Sequence, residues 1–188
     1  MTKALIVIGM QKHVLNRIQN GADYQHHKAM TNAPRIIEAF REAGLNVIHV
    51  HHEDKAPHLP LHIEAEGYPP IEDTMAQDQE HVFVKHTTSI FASTAINQLL
   101  KEKGISELFL IGAELHSSIL HTVPTAVDME YKVDVVSDAV IGFGFHDRGI
   151  SADMAYGLAL ACIEADGGYV IDTDTLLDTM AANEGQEN

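Results

Sequence analysis

E-L-F-L-I-G-A-E-L-H-S-S-I-L-H-T-V-P-T-A-V-D-M-E-Y, residues 107–131, holds a strand that breaks directly into a helix. Leu108 to Ile111 is an apolar run too short for a helix and rich enough for a buried parallel strand. Gly112 ends it. Ser117 and Ser118 stand where a helix begins, and Ile119, Leu120, Val123 and Val127 supply its apolar stripe. Such a junction points backbone N–H groups and a positive dipole end at whatever lies before it, on the carboxyl edge of the sheet where α/β proteins bind ligands. An active site is expected here.

Working outward, Ala4 to Ile8 reads as a central strand stopped by Gly9, and Met10 to Asp23, lacking a clean period, as a loop. Ile36, Ile37, Phe40 and Ala43 carry helical spacing, with Pro34 near a first turn and Gly44 just past the end. Val47 to Val50 is a strand running into His51-His52-Glu53. Lys55 to Gln79 is a long excursion holding four of the six prolines. His81 to Lys85 is the next strand and Ser93 to Lys103 a helix closed by Gly104. Val133 to Val136 is a strand ending at Asp138, Gly142 to Gly149 a flexible loop, and Ala152 to Ala165 a helix. Tyr169 to Ile171 is a last strand and Thr173 to Met180 a helix capped by Asp172 or Thr173. Alternating strands and helices predict a three-layer α/β/α fold with a mainly parallel six-stranded sheet. Residues 1–182 are expected to form one domain, with 183–188 a disordered tail.

Composition narrows the function. The formal charge of −15, from 27 acidic against 12 basic residues, repels phosphate backbones and anionic lipid, so neither nucleic acid nor membrane is an expected partner. One cysteine, Cys162, excludes an internal disulfide framework, and no basic-then-apolar leader precedes Ala4; a cytoplasmic location is expected. No apolar run approaches the length of a membrane span.

Four segments carry a resemblance. A-L-I-V-I-G-M-Q (4–11), V-F-V-K-H-T-T-S-I-F-A-S-T (82–94), I-G-A-E-L-H-S-S-I-L-H-T-V-P-T-A (111–126) and E-Y-K-V-D-V-V-S-D-A (130–139) resemble, in order and spacing, the motifs of the isochorismatase-like (cysteine hydrolase) family. That family includes nicotinamidases, N-carbamoylsarcosine amidases and isochorismatases. It implies a Rossmann-like hydrolase fold, a homo-oligomer, a small-molecule ligand and no cofactor. Its members hold an aspartate, a lysine and a cysteine at strand ends, with an oxyanion hole beside a cis peptide. By this resemblance Lys85 keeps the lysine place, Gly9 falls at the aspartate place and Ser118 at the cysteine place. Ala113 and Glu114 would flank the cis bond and, with Ser117, hold a substrate oxyanion.

The replacements imply a degenerate site. A thiol ionises in part unaided near neutral pH, whereas a serine hydroxyl needs a positioned base, and Gly9 offers no side chain. The expectation is a hydrolase-like protein, a candidate pseudoenzyme, that binds a small anionic or amide ligand without thiol chemistry. The pocket is expected to be net positive around Lys85. The alternative is an active hydrolase using Ser118 with His121, His116 or His13 as acid or base; against it, Ser117 and Ser118 have a plainer use as helix caps. Pro124 frees the Leu120 carbonyl inside the same helix. His146-Asp147-Arg148 are expected at the pocket rim. His49, His51, His52, Glu53, His58 and His62 form a dense set, but the D-x-H pattern by which nicotinamidases hold a metal is broken here, and no metal is expected. Gly9, if its φ is positive, resists replacement.

Overall fold

The structure, a computed structural model, describes residues 2–184. In chain order it contains β1 (Thr2–Ile8), α1 (Lys12–Gln19), β2 (Tyr24–Gln25), α2 (Ala29–Glu42), β3 (Asn46–His52) and β4 (His81–Lys85). These are followed by α3 (Ile96–Glu102), β5 (Ile105–Ala113), α4 (Leu120–Asp128), β6 (Lys132–Phe143), α5 (Ala152–Ala165), β7 (Tyr169–Ile171) and α6 (Thr173–Glu184). The sheet order is β2-β6-β5-β1-β3-β4, with β7 also on β6; every pairing is parallel except the short β2–β6 pair.

Alternation along β1 shows how one strand feeds two cores. Ala4, Ile6 and Ile8 face a core shared with Ile96, Leu100, Val123 and Ile163, from α3, α4 and α5, and with Ile119 just before α4. Leu5 and Val7 face the other core, with Val14, Ile36, Ile37, Phe40, Leu176 and Met180 from α1, α2 and α6. The fold is thus a three-layer α/β/α arrangement on a mixed, mostly parallel sheet.

The sheet has seven strands among the described residues, not six: Tyr24–Gln25 is too short to show a period and exists only by pairing with Gly142 and Phe143. Residues 12–19, expected as loop, are helical; Val14, Leu15 and Ile18 suffice to dock them, too few to stand out in the sequence. Helix α2 begins at Ala29, so Pro34 lies inside it rather than in its first turn. Buried Ala29 and Ala33 extend the stripe of Ile36, Ile37 and Phe40, and alanines carry a weak signal. Strand β6 does not stop near Asp138 but runs to Phe143, so Gly142 belongs to strand. A register shift against β5, where Leu110 pairs with Val135 but Gly112 with Val140, throws out the bulge that carries Asp138. There Asp138 Oδ1 accepts from the Thr173 N–H at 2.8 Å and hydroxyl at 2.6 Å, and Oδ2 from Asn32 Nδ2 at 2.8 Å, joining β6 to α6 and α2. The stretch expected as a tail begins within α6, which runs to Glu184; the remainder lies outside the described residues.

The long excursion after β3 is tied at both ends. Gln11, 1 % exposed, donates to the Tyr68 and His52 carbonyls at 2.7 and 3.0 Å and accepts from the His52 N–H at 2.7 Å. Glu80 accepts from Arg41 Nε at 2.7 Å and from the Gln77 N–H at 2.9 Å, and meets buried His49 Nε2 at 2.9 Å. These bonds fix a segment that has little apolar period of its own.

The ends of β1 and β5 approach so closely that neither admits a side chain. A Cβ on Gly112, at φ 120°, would stand 1.9 Å from the Ile8 carbonyl oxygen; one on Gly9, at φ 61°, would stand 2.3 Å from that of Ala113. Gly104 also has positive φ but nothing within 4 Å. Gly112→Ala is therefore expected to destabilise the fold by more than about 3 kcal/mol, against about 1 kcal/mol for Gly104→Ala. Urea unfolding of the two variants checks the contrast; equal losses would refute the close approach as its cause.

Candidate active site

A cavity of about 290 Å³ opens at the carboxyl edge of the sheet. It is lined by Gly9, Gln11 and His13 at the end of β1 and the start of α1, by His52 at the end of β3 and Asp54 after it, and by Lys85 and Thr88 around the end of β4. Ala113, Glu114, Ser117 and Ser118 close the β5 side, and Pro60 and Leu61 of the excursion cover it. The residues read from the sequence as Gly9, Lys85, Ala113, Glu114, Ser117, Ser118 and His13 thus lie around one space. His13 sits in the first turn of α1 rather than in a loop.

Lys85 is 1 % exposed, and no carboxylate among the described residues lies within salt-bridge distance of it. Its Nζ is 3.1 Å from His52 Nδ1 and donates to the Thr87 carbonyl at 2.9 Å. Burial pushes the ammonium down to about 8, against the pull of Glu114 and Asp54. The same burial, with the neighbouring Lys85 charge, lowers His52, whose Nε2 lies 3.3 Å from Asp54 Oδ1. Burial also lowers His13, helped by Arg17.

On the opposite wall, the Ala113–Glu114 peptide is cis. Burial would raise the Glu114 carboxyl, but His116 and Arg17 outweigh it and hold the group below the usual carboxylate range. Arg17 is itself stacked 3.7 Å from the centre of the Phe143 ring. Because Asp54 and Glu114 both line the cavity, the expectation of a net positive pocket is corrected: Lys85 is balanced by Asp54, and Glu114 by its ion pair with Arg17.

The helix entrance differs from its sequence reading. Leu115–Ile119 forms a π turn before α4, and the cap residue is Glu114, with no side-chain cap bond; Ser117 and Ser118 are not caps. The Ser117 and Ile119 N–H groups both turn back to the Glu114 carbonyl at 3.3 Å. Ser118 is buried, and no imidazole is hydrogen-bonded to its hydroxyl among the described residues. His121 Nδ1 pairs with the Ser117 carbonyl at 2.6 Å, and His116 Nε2 lies 3.3 Å from Glu114 while its ring meets Phe145. His146 to Arg148 form an exposed 3₁₀ turn that does not line the cavity.

The histidines of 49–62 are dispersed. His49 pairs with Glu80, burial pushes His51 down to about 4, and His52 serves Lys85. Among the described residues no group of three His, Cys, Asp or Glu is placed to hold a metal ion, so the set does not fit the metal site of nicotinamidases. No helix described is long and apolar enough to cross a membrane. Sequence reasoning missed Asp54 and the partnership of His52 with Lys85. The signal available was His52-x-Asp54 at a strand end, and its meaning depended on which strand lay beside it.

The profile of the isochorismatase domain matches residues 3–174. The isochorismatase family protein YddQ of Bacillus subtilis is 36% identical over 143 residues, covering 74% of this chain and 77% of its own. A second B. subtilis protein of that family, YrdC, is 26% identical over 179 residues, 94% and 95% of the two chains. The fold matches a crystal structure from Chromobacterium violaceum ATCC 12472, of the same family, with TM-score 0.90 over 96% of this chain and 94% of that one, at 24% identity.

Burial of Lys85 has a price in stability. Its pKa in the unfolded chain is near 10.5 and in the folded protein about 8, so between these values the unfolded state binds more protons and stability rises with pH. Below pH 8 the penalty is complete. Lys85→Met is expected to stabilise the protein at pH 7 by about 1–3 kcal/mol, with the gain fading as the pH rises from about 8 to 10.5. Denaturant unfolding at pH 7 and through that range measures it; a Met variant less stable at pH 7 would contradict the assignment.

Proposed function

The chain belongs to the isochorismatase family, and from that premise we propose that it is a hydrolase-like member that binds a small molecule through a carboxylate or amide oxygen, without thiol chemistry. The observation that carries this reading is Lys85: a buried ammonium beside a cavity of small-molecule size, with no carboxylate in contact. Such a charge is stabilised when a ligand brings the missing anionic or carbonyl oxygen. Gly9, at the place where the family resemblance puts the acid, and Ser118, where it puts the thiol, leave the reacting groups absent while the binding groups stay. Homo-oligomeric assembly is part of the same proposal and rests on the resemblance alone.

Restoring the family's residues is not expected to restore its chemistry. An aspartate at position 9 would need a Cβ 2.3 Å from the Ala113 oxygen and a positive φ. Gly9→Asp with Ser118→Cys should therefore lose stability before any reactive thiol appears. The second reading, a serine hydrolase, is favoured by one observation: His13 lines the same cavity as Ser118, and its lowered pKa leaves it neutral at pH 7.

Thermal melting with benzoate or acetate tests the binding reading. A carboxylate that binds should raise the Tm by roughly 5–10 °C at about 100 times Kd. Lys85→Met should abolish the shift and Ser118→Ala retain it. A shift that survives Lys85→Met would sink the ammonium reading. Hydrolysis of an amide or ester by the starting protein, lost in both Ser118→Ala and His13→Ala, would replace binding with serine catalysis.

A further inference from the structure

Lys85 touches no acid, yet it is joined to one. In the parallel pairing of β3 with β4, His52 is the register partner of Lys85, so both side chains leave the same face of the sheet at its carboxyl edge. Nζ stands 3.1 Å from His52 Nδ1, and His52 Nε2 stands 3.3 Å from Asp54 Oδ1. An ammonium only donates, so Nδ1 accepts and the ring hydrogen sits on Nε2, facing the carboxylate. One neutral tautomer satisfies the whole chain. Asp54 Oδ2 meanwhile accepts from the Leu61 N–H at 3.1 Å, which fixes the carboxylate to the excursion covering the cavity.

Counting donors gives the consequence. Of the three N–H groups on Lys85, one goes to His52 and one to the Thr87 carbonyl, leaving a single N–H on a residue that lines the cavity. We propose that Asp54, acting through His52, is a positioning relay that keeps Lys85 protonated and aims its one uncommitted N–H at a carboxylate or amide oxygen of the ligand. The ligand half of this statement rests on the proposed function; the relay does not.

Among the described residues no other acid is free for the task. Position 9 is closed to any side chain by the Ala113 oxygen. Glu114, from the end of β5, is bonded to Arg17 of α1 and to His116. Glu53 accepts from the Tyr68 hydroxyl at 3.3 Å. The remaining titratable neighbours are imidazoles: His13 of α1 across the cavity, and His86 after β4, which lowers His52 further and whose own ring meets the Glu53 carbonyl at 2.9 Å. Asp54 and Glu114 are the two acids that oppose burial at Lys85. Of these two, Asp54 is the one that reaches it through a hydrogen-bonded group.

The relay is tested without any ligand, by the pH titration of the Lys85 Cε resonance in protein labelled with ε-¹³C-lysine and assigned with Lys85→Arg. The starting protein should show an inflection at about 8. Asp54→Asn, which is isosteric, should lower it by about one pH unit, and Asp54→Glu should return it most of the way. In a His52→Asn background the same Asp54→Asn change should move the inflection by less than about half as much, because a relay acts as a unit. An unmoved inflection in Asp54→Asn overturns the relay, as does a full shift that survives His52→Asn. Far-UV circular dichroism of each variant establishes that the readout comes from folded protein. If the titrations behave as expected while benzoate and acetate fail to bind the starting protein, the ligand reading falls and the relay stands.

Discussion

The contact on which the site depends is between two pieces of backbone. β1 and β5 pair from Lys3–Glu107 to Ile8–Gly112, and at their ends they close to a distance that only glycine allows, Gly112 against the Ile8 oxygen and Gly9 against the Ala113 oxygen. Because the two restrictions point in opposite directions, neither strand can yield to a side chain on the other. The floor of the cavity is therefore fixed by main chain, and whatever chemistry it holds must come from the walls. Position 9, the first place past the central strand, is excluded from supplying any.

That exclusion explains the distribution of charge around the cavity. Sheet order places β3 between β1 and β4, so the end of β3 occupies the space between Gly9 and Lys85. His52 enters that space, and Asp54 stands behind it, anchored by the excursion. On the other side Arg17 crosses from α1 to hold Glu114, using the Phe143 ring as its base. Each buried ion thus has polar contacts, but in Lys85 these are neutral atoms, and the cation keeps a depressed pKa as a result. A site arranged to bind is bought here with stability, as is usual where a charge must remain available inside a fold.

Much of this was legible in the sequence, and the failures share a cause. β4, β7 and α5 fall where the residues alone place them: Val82 to Val84 and Tyr169 to Ile171 are short apolar runs, and the Ala152-to-Ala165 run is stopped by Asp166-Gly167-Gly168. Lys85, Ser118 and the Ala113–Glu114 bond come to one cavity as the motif order implied. What stayed hidden depends on partners distant in the chain. β2 is a strand only because Phe143 lies beside it, and the second half of β6 only because β5 resumes pairing after the Asp138 bulge. His52 looked like one histidine among many until strand register set it against Lys85. Ser117 and Ser118 resembled caps because their type favours that use, but the π turn moves the cap position to Glu114.

The Asp138 junction also bears on how the chain is made. Asp138 leaves synthesis 35 residues before Thr173, the residue whose N–H and hydroxyl it accepts. At ordinary elongation rates that separation is roughly 2 to 7 s. A released chain that stopped before Thr173 would keep Asn32 against the carboxylate but lack α6, and the apolar face that Leu176 and Met180 cover would be open. Such a truncated chain carries every strand of the sheet with one helix missing from one layer. Translation interrupted there and released would leave a core with one adhesive side, the kind of exposed apolar surface that drives aggregation.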